Sequence, residues 1–337
     1  MARRDGWRRL GRKRFRYEDA RGNPIDDEEA LQRIRALVIP PGWTDVWISP
    51  NPRAKLQATG TDAAGRRQYL YHPDFRAAQD REKFDRLVRF GELLPGLRRQ
   101  MARDLALGPY EPEWAAAVAL SFVNRAWFRV GSERYAKQTR TYGVTTLRKR
   151  HAAVRGDRVS FRFRAKHRVL VRTSIVDAAL ADAIDALLEY PGGSRLFRFE
   201  RDGEPALLTG ATLNGYVSEH LGDDFTTKDF RTWGGTLTAA VALAEHGPPS
   251  SPGEERKVLA AVMRHVGEEL GNTASVARSA YVSPAVIEQW RTGRTLEGVS
   301  PGRRRPVLVG ATKGLLPEEK ALLTLLRSWR IRRARAA

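Results

Sequence analysis

The sequence contains no cysteine, which excludes disulfide bonds, thiolate-bound zinc and cysteine nucleophiles. Its six histidines are scattered along the chain, and none of them has the HxxH or HExxH spacing of a metal site. We therefore expect no catalytic metal and no other cofactor. The sequence also lacks any run of about 18 apolar residues, so we expect no membrane-spanning segment.

What the sequence has in excess is positive charge. Lysine and arginine number 59 against 39 aspartates and glutamates, which gives a formal net charge of +20. A charge of this size predicts a polyanionic partner, most simply a nucleic acid, with an anionic membrane surface as the alternative. The chain has 337 residues and 42% hydrophobic content, which is enough for two domains with a substantial core.

Residues 1–90 have the pattern of a small β-sheet domain. Short β-prone runs occur at residues 46–48, 55–59 and 67–71. The last two runs are separated by residues 60–65, which have the composition of a hairpin loop. We therefore predict an antiparallel sheet in this part of the chain.

Residues 91–337 are predicted to form a larger, mainly α-helical domain. The Ala-rich segment 114–128 is apolar nearly all round, which indicates a buried helix, and Arg129 follows it directly. Helices are predicted again from Ile175 to the end. Between them, a small β-hairpin sheet is predicted from runs at residues 144–147, 158–163 and 169–171. The predicted fold class is α+β.

Four polar residues lie where a predicted element ends or a helix begins. Arg129 ends the buried helix, and Lys166 lies at the tip of a β-turn. Arg231 lies in a helix that begins at Thr226, and Tyr281 lies near the end of segment 273–282. Taken singly, each has a more ordinary interpretation, either a solvated cation or a half-buried core tyrosine. Together, cations and a phenol suit covalent attack on a phosphodiester.

The surrounding sequence resembles the type IB DNA topoisomerases, specifically their compact poxvirus and bacterial branch, from about Leu37 to Pro284. The matching strings are residues 39–48 (IPPGWTDVWI), 65–72 (GRRQYLYH), 128–131 (FRVG), 142–147 (YGVTTL), 228–234 (KDFRTWG) and 270–273 (LGNT). Tyr281 follows the last string, nine positions after Asn272. Each string is a weak signal by itself, but six in the right order make coincidence improbable.

The resemblance implies that Tyr281 attacks the scissile phosphate and leaves a 3′-phosphotyrosyl enzyme with a free 5′-hydroxyl. Arg129 and Arg231 would donate to the non-bridging oxygens of the pentavalent transition state, because guanidinium donors match phosphate geometry. Lys166 would be the general acid for the 5′-oxygen, since lysine, unlike arginine, can give up a proton when its pKa is lowered. Relaxation of supercoiled duplex DNA would then need no ATP.

Two positions depart from the pattern of the family. Many relatives have histidine where this chain has Asn272, whose amide can donate to a phosphate oxygen but cannot carry charge. The turn at Lys166 usually contains glycines, which this chain lacks at that turn. Lys137 and Lys149 therefore remain alternatives for the general acid, although neither is at a predicted hairpin tip.

The same resemblance implies a monomer that clamps double-stranded DNA with both domains and works in the cytoplasm on the nucleoid. Tyr69 and Tyr71 lie two apart, on one face of a strand, which suits an ordinary packed sheet as well as DNA contacts. The family match favours DNA contacts. The predicted DNA-binding residues are Lys228, Arg66, Arg67, Gln68, Tyr69 and Tyr71.

Two other functions remain open from the sequence. A tyrosine recombinase would share the arginine, lysine and tyrosine chemistry, but such enzymes usually have His-x-x-Arg where this chain has Lys228 to Arg231. They also usually begin with a helical domain rather than a sheet. A non-enzymatic basic protein that coats DNA is the second alternative. A plasmid assay distinguishes the three functions. Removal of supercoils indicates the topoisomerase, integration of defined sites indicates the recombinase, and stoichiometric binding without strand breakage indicates the coating protein.

Overall fold

The computed structural model describes residues 5–12, 14–296, 308–309 and 313–336. The chain divides into two compact units, Met1–Phe84 and Asp85–Ala337. The predicted boundary after residue 90 falls inside a long helix that passes from one unit into the other. That boundary stays a prediction.

The first unit is built on a five-stranded antiparallel sheet. Its elements are β1 (Trp7–Leu10), β2 (Arg16–Glu18), α1 (Glu28–Ala36), β3 (Thr44–Ile48), β4 (Leu56–Thr61) and β5 (Arg67–Tyr71). The strand order is β2-β1-β3-β4-β5. Ile34 of α1 packs with Val46, Ile48 and Ala58 in a small core. The three predicted strands and the antiparallel sheet are confirmed, and β1 and β2 are additional.

The second unit is mainly helical. Its helices are α2 (Pro73–Asp104, which starts in the first unit), α3 (Pro112–Ala126), α4 (Glu133–Gln138), α5 (Ala178–Glu189), α6 (Gly210–Leu221), α7 (Thr227–His246), α8 (Pro252–Leu270), α9 (Ala274–Ala280), α10 (Pro284–Arg291) and α11 (Pro317–Ala336). Helix α3 is buried on nearly every side, as its alanine-rich sequence predicts. No helix in the described ranges is both long and apolar enough to cross a membrane.

A small sheet lies among these helices. It contains β6 (Ala152–Arg155), β7 (Arg158–Arg164), β8 (Leu170–Val176) and β11 (Leu308–Val309), in the order β11-β8-β7-β6. Strands β6, β7 and β8 are antiparallel, whereas β11 runs parallel to β8. The alternation along β7 buries Val159, Phe161 and Phe163 and leaves the other face outward. A separate two-stranded hairpin is formed by β9 (Arg198–Arg201) and β10 (Glu204–Leu207).

The structure corrects three secondary-structure predictions. Residues 144–147 do not form a strand, because Val144–Thr146 is a turn of 3₁₀ helix. Helices do not resume at Ile175, since β8 continues to Val176 and α5 begins at Ala178. The hairpin at residues 198–207 was not predicted.

The helix boundaries around Arg231 and Tyr281 agree with the sequence, whereas α3 ends at Ala126, so Arg129 lies beyond the helix that it was predicted to end. Thr226 and Asp229 form the predicted capping box at the start of α7. Gly271 adopts a left-handed conformation, φ 60°, and ends α8. Tyr281 lies at the C-terminal cap of the short helix α9.

Candidate active site

A sharp turn after α3 sets the position of Arg129. Trp127 ends the helix in a left-handed conformation, φ 52°. The carbonyl of Arg129 then accepts from the backbone N–H of Val144 at 2.8 Å. A Cβ on Gly143 would lie 2.4 Å from that carbonyl oxygen, so only glycine allows this approach. The segments 128–131 (FRVG) and 142–147 (YGVTTL) therefore pack against each other through their backbones. This contact explains why residues 144–146 form a tight turn rather than a strand.

Arg231 lies in the second turn of α7 and is only 4% exposed. Its Nη1 donates to the carbonyl of Trp127 at 2.6 Å, and its Nη2 donates to the carbonyl of Leu270 at 2.7 Å. Its Nε is buried and has no hydrogen-bond partner among the residues that the structure describes. A buried donor without a partner is costly, so an acceptor brought to this atom would be favourable.

Tyr281 is held against α7 through its backbone. The Oγ1 of Thr236 donates to the Tyr281 carbonyl at 3.0 Å and accepts from the backbone N–H of Ser283 at 3.1 Å. A Cβ on Gly235 would lie 3.0 Å from the Tyr281 Cβ, which shows how closely the helix approaches. The Tyr281 ring lies beneath Arg231, whose guanidinium carbon is 5.1 Å from the ring centre.

The C-terminal end of α8 anchors Arg129 as well as Arg231. The Nη2 of Arg129 donates to the carbonyl of Gly271 at 3.0 Å and to the Oδ1 of Asn272 at 2.7 Å. Every acceptor of these two guanidinium groups in the described chain is a neutral oxygen. Their positive charges are therefore not neutralised by a carboxylate and remain available to an anion.

This arrangement changes the ionisation of the phenol. Burial alone raises the pKa of Tyr281, but the charge of Arg231, a hydrogen bond from the Arg231 side chain and the charges of Arg129 and Lys228 outweigh burial and bring the pKa below its ordinary value. Burial and the nearby charge of Arg231 lower the pKa of Arg129 to about 10, so Arg129 stays protonated at neutral pH. The site therefore combines a partly activated hydroxyl with two fixed cations.

Lys166 lies in the five-residue loop that joins β7 to β8, as predicted, at the start of the 3₁₀ turn Lys166–Arg168. The loop is closed by the N–H of Ala165, which donates to the carbonyl of Val169 at 2.8 Å. His167 and Arg168 both have a φ of 61°, a left-handed conformation that glycine adopts without strain. Lys166 is exposed, and its amine has no hydrogen bond or ion pair within the described residues.

The two alternative lysines differ from Lys166 in their surroundings. Lys149 donates from Nζ to the carbonyl of Tyr190 at 2.6 Å, and burial together with the charge of Arg198 lowers its pKa. Lys137 lies exposed on the short helix α4. Neither lies on the β7–β8 hairpin, where the resemblance places the general acid.

A cleft of about 900 Å³ lies over the two arginines. One side is formed by Arg129, Arg231 and the Leu270–Gly271 turn, and another by the sheet of β6, β7 and β8. Val169, three residues after Lys166, also lines this cleft. The Val169 Cγ1 lies 3.8 Å from the position that a Cβ on Gly271 would occupy. The hairpin thus reaches the turn that holds Arg129.

In the first unit, Tyr69 and Tyr71 project to the outside of β5. They are 52% and 41% exposed, and their rings stack with centres 6.2 Å apart. The two rings are therefore not the interior of a packed sheet. Gln68 precedes Tyr69 on the opposite face of the strand and donates from Nε2 to Asp62 at 2.8 Å.

The two predicted phosphate-binding arginines of this unit already have partners. Arg66 forms an ion pair with Asp62 at 2.7 Å. Arg67 donates to the Oγ1 of Thr59 at 2.6 Å and to the carbonyl of Asp45 at 3.3 Å. Both side chains are largely exposed, so DNA contacts by them would compete with these bonds.

Sequence reasoning missed the residues that support the site. A Cβ on Gly234 would lie 2.3 Å from the indole of Trp127, so the helix packs directly on the turn that positions Arg129. Gly234 and Gly235 are adjacent inside α7, where each costs about 1 kcal/mol relative to alanine. That unfavourable pair next to Arg231 was the available signal for close packing.

Comparisons with known proteins agree on one family. A family model described as the catalytic core of eukaryotic DNA topoisomerase I matches residues 72–292, and one for the N-terminal domain of bacterial DNA topoisomerase IB matches residues 14–62. DNA topoisomerase 1B of Acanthamoeba polyphaga mimivirus is 31% identical over 269 residues, covering 77% of this chain and 80% of the viral protein. DNA topoisomerase 1B of vaccinia virus (strain Copenhagen) is 23% identical over 288 residues, covering 82% and 88% respectively.

Proposed function

This chain belongs to the type IB DNA topoisomerase family, and we propose that Tyr281 is its nucleophile. The enzyme relaxes supercoiled duplex DNA by transient cleavage of one strand, rotation and religation. In the proposed step the Tyr281 oxygen bonds to phosphorus while the bond from phosphorus to the 5′-oxygen breaks. One diester replaces another, so the bond energy is retained and religation needs no ATP. The recombinase and DNA-coating alternatives are not favoured.

The observation that best supports this role is the position of the Tyr281 ring beneath Arg231, with a hydroxyl whose pKa is lowered. A phenol with an ordinary pKa of about 10 is a poor nucleophile at neutral pH. Arg231 and Arg129 favour the developing phenolate, and their free donors, including the unpaired Nε of Arg231, would bind the non-bridging oxygens.

Lys166 is proposed to donate the proton that the 5′-oxygen takes as it leaves. An exposed lysine on a hairpin could contact a DNA strand bound in the cleft. Because its amine has no partner within the described residues, it would be able to bind the leaving oxygen. Asn272 would hold Arg129 through its Oδ1 and offer its amide N–H to a phosphate oxygen. Lys228, at the start of α7, adds positive charge that already acts on Tyr281.

For the DNA, we propose that both units bind the same duplex and that the enzyme acts as a monomer on nucleoid DNA. The exposed pair Tyr69 and Tyr71, with Gln68, Arg66 and Arg67 beside it, would contact the duplex from the first unit. Phosphate contacts make binding salt-dependent, so affinity for duplex should fall steeply between 50 and 200 mM salt, by about a thousandfold if about six phosphates are neutralised. Sedimentation at assay concentration tests the monomer.

The test of the nucleophile is Tyr281→Phe, with Tyr190→Phe as the matched control. We expect Tyr281→Phe to bind duplex DNA normally but to give no protein-linked DNA on denaturing gels and no plasmid relaxation. In the control the Tyr190 ring packs against Tyr110 outside the cleft. Tyr190→Phe should therefore form protein-linked DNA and relax plasmid as wild type does. Mass spectrometry of the wild-type adduct should place the nucleotide on the peptide containing Tyr281. Adduct at wild-type level in Tyr281→Phe would refute the assignment.

A further inference from the structure

The outward face of the sheet formed by β6, β7 and β8 carries a set of arginines. Two of the cross-strand pairs on this face are arginine against arginine, Arg155 with Arg158 and Arg162 with Arg172. Arg164 follows on the same face of β7. We call these five residues the arginine face. Between its two pairs lie Ser160 and Ser174, whose hydroxyls hydrogen-bond at 2.9 Å.

In the part of the chain that the structure describes, no carboxylate is paired with the arginine face, although exposed Asp157 lies in the turn between Arg155 and Arg158. All five side chains are exposed, and within the described residues none has a hydrogen bond or an ion pair. The sequences of β6, β7 and β8 contain no acidic residue. Like charges directly opposite each other across two strands are destabilising. Exposed protein surfaces usually carry positive and negative side chains interspersed. Two arginine–arginine pairs in succession therefore indicate a surface that binds an anion.

The location of the face connects it to the reaction. Arg158, Arg162 and Arg172 line the same cleft as Arg129 and Arg231. Glu268 and Glu269, near the end of α8, also line it, so the cleft has acidic as well as basic groups. Both glutamates are exposed, and within the described residues neither forms an ion pair with the arginine face.

We propose that the arginine face binds the phosphodiester backbone of the DNA strand beside the scissile phosphate. The inference rests on the proposed function, because it assumes that the scissile phosphate lies at Arg129 and Arg231. The two arginine pairs are four residues apart along β7, or about 13 Å at about 3.3 Å per residue. One DNA strand rises about 3.4 Å per nucleotide, so the pairs match about four nucleotides. Guanidinium groups at that spacing would hold phosphates about four nucleotides apart on one strand and fix the position of the strand in the cleft.

The first experiment replaces Arg162 and Arg172 by glutamine in the full chain, with Arg256→Gln/Lys257→Gln as the matched control. The control residues are exposed near the other end of α8, about 20 Å from Leu270 along the helix. Affinity for a 30-base-pair duplex is measured against salt in a Tyr281→Phe background, where no cleavage interferes. We expect the slope of log affinity against log salt to become shallower by about two for the face variant and to remain unchanged for the control. Equal slopes in the face variant and the parent, or an equal change in the control, would overturn the proposal.

The second experiment uses Arg172→Glu, which would place a carboxylate opposite Arg162. We expect this variant to unfold at a higher temperature than wild type without DNA, because a repulsive pair becomes attractive, and to bind duplex more weakly. Lower stability together with unchanged DNA affinity would contradict the role of the face. Loss of adduct from Tyr281→Phe tests the nucleophile separately. The role of Tyr281 and the role of the arginine face can therefore fail independently of each other.

Discussion

The guanidinium carbon of Arg231 lies 5.1 Å from the centre of the Tyr281 ring, so one cation faces the phenol from within the protein core. Its orientation is fixed by two carbonyls from distant parts of the chain, those of Trp127 and Leu270. This relationship connects the charge of one residue to the ionisation of the other.

Replacing Arg231 by alanine should move the pH dependence of adduct formation to higher pH. The charge of Arg231 lowers the pKa of Tyr281 and burial raises it, so without the charge the phenol needs higher pH to ionise. The rate at neutral pH should fall about a hundredfold or more, since a transition-state donor is also lost. Arg231→Lys should keep the pH profile closer to wild type while still losing rate, because lysine restores charge but not the two-pronged geometry. An unshifted profile in Arg231→Ala would contradict this coupling.

Lys166→Ala should cleave ordinary DNA slowly but recover when the bridging 5′-oxygen is replaced by sulfur. A thiolate leaves without taking a proton, so the general acid becomes unnecessary. Lys137→Ala and Lys149→Ala serve as matched controls and should cleave both substrates at similar rates to wild type. Single-turnover rates on the two substrates make the comparison. If sulfur rescued Lys149→Ala instead, that lysine would be the acid.

Gly234→Ala should destabilise the protein and reduce cleavage. The new Cβ would lie 2.3 Å from the Trp127 indole, so the turn that positions Arg129 must shift. Overpacking of this kind typically costs about 1–3 kcal/mol. Gly215→Ala in α6 is the control, because nothing lies within 4 Å of its added Cβ. Chemical denaturation should show a loss for the first variant and a neutral or slightly stabilising effect for the second.

His151 should make the fold sensitive to mild acid. Burial and the charges of Arg150 and Arg148 lower the pKa of His151 to about 4. An unfolded chain would protonate it near pH 6.5, so between about pH 6.5 and 4 the unfolded state binds more protons. Stability should therefore fall with falling pH in that window, by up to about 1.4 kcal/mol per pH unit. Denaturant unfolding of His151→Gln should give a flatter dependence, and an identical slope in both proteins would show that other groups are responsible.

The buried ion pair of Arg98 and Glu319 should be needed for the last helix to stay in place. Two guanidinium nitrogens of Arg98 donate to the Glu319 carboxylate at 2.7 and 2.8 Å, and Trp233 Nε1 donates to it at 3.2 Å. Glu319→Ala leaves a buried charge unpaired and should cost about 3–5 kcal/mol of unfolding free energy. The double variant Arg98→Met/Glu319→Leu should recover much of that loss. A double variant no more stable than Glu319→Ala would count against this view.

The elements predicted from the sequence were those with strong local signals. The capping box at Thr226 and Asp229 and the glycine at 271 fixed the ends of α7 and α8, because caps depend on neighbouring residues only. Strand β1 was missed because Arg9 shares the inner face with Trp7 while Leu10 lies on the exposed face, so the run has no apolar alternation. The run at 144–147 was mistaken for a strand because its turn depends on the more distant Gly131 packing against Gly143.

The site itself could not be assembled from local patterns. Arg231 contacts Trp127 across 104 positions, and Arg129 contacts Asn272 across 143. No spacing rule predicts such contacts, so the set was recognised by its resemblance to a family. The supporting glycines and Trp127 were not identified, because their role is to let backbones approach and they contribute no chemistry of their own.

Both guanidinium groups of the site are anchored by peptide and amide oxygens. A carboxylate anchor would take up a proton in acid and release its arginine, whereas a peptide oxygen does not titrate in the range where proteins stay folded. Substitution cannot remove a peptide oxygen either. The orientation of Arg231 is therefore set by the path of the chain, and that of Arg129 by the chain together with the Asn272 amide. Neither set of anchors changes with pH, so acid should not release either arginine while the fold around them persists.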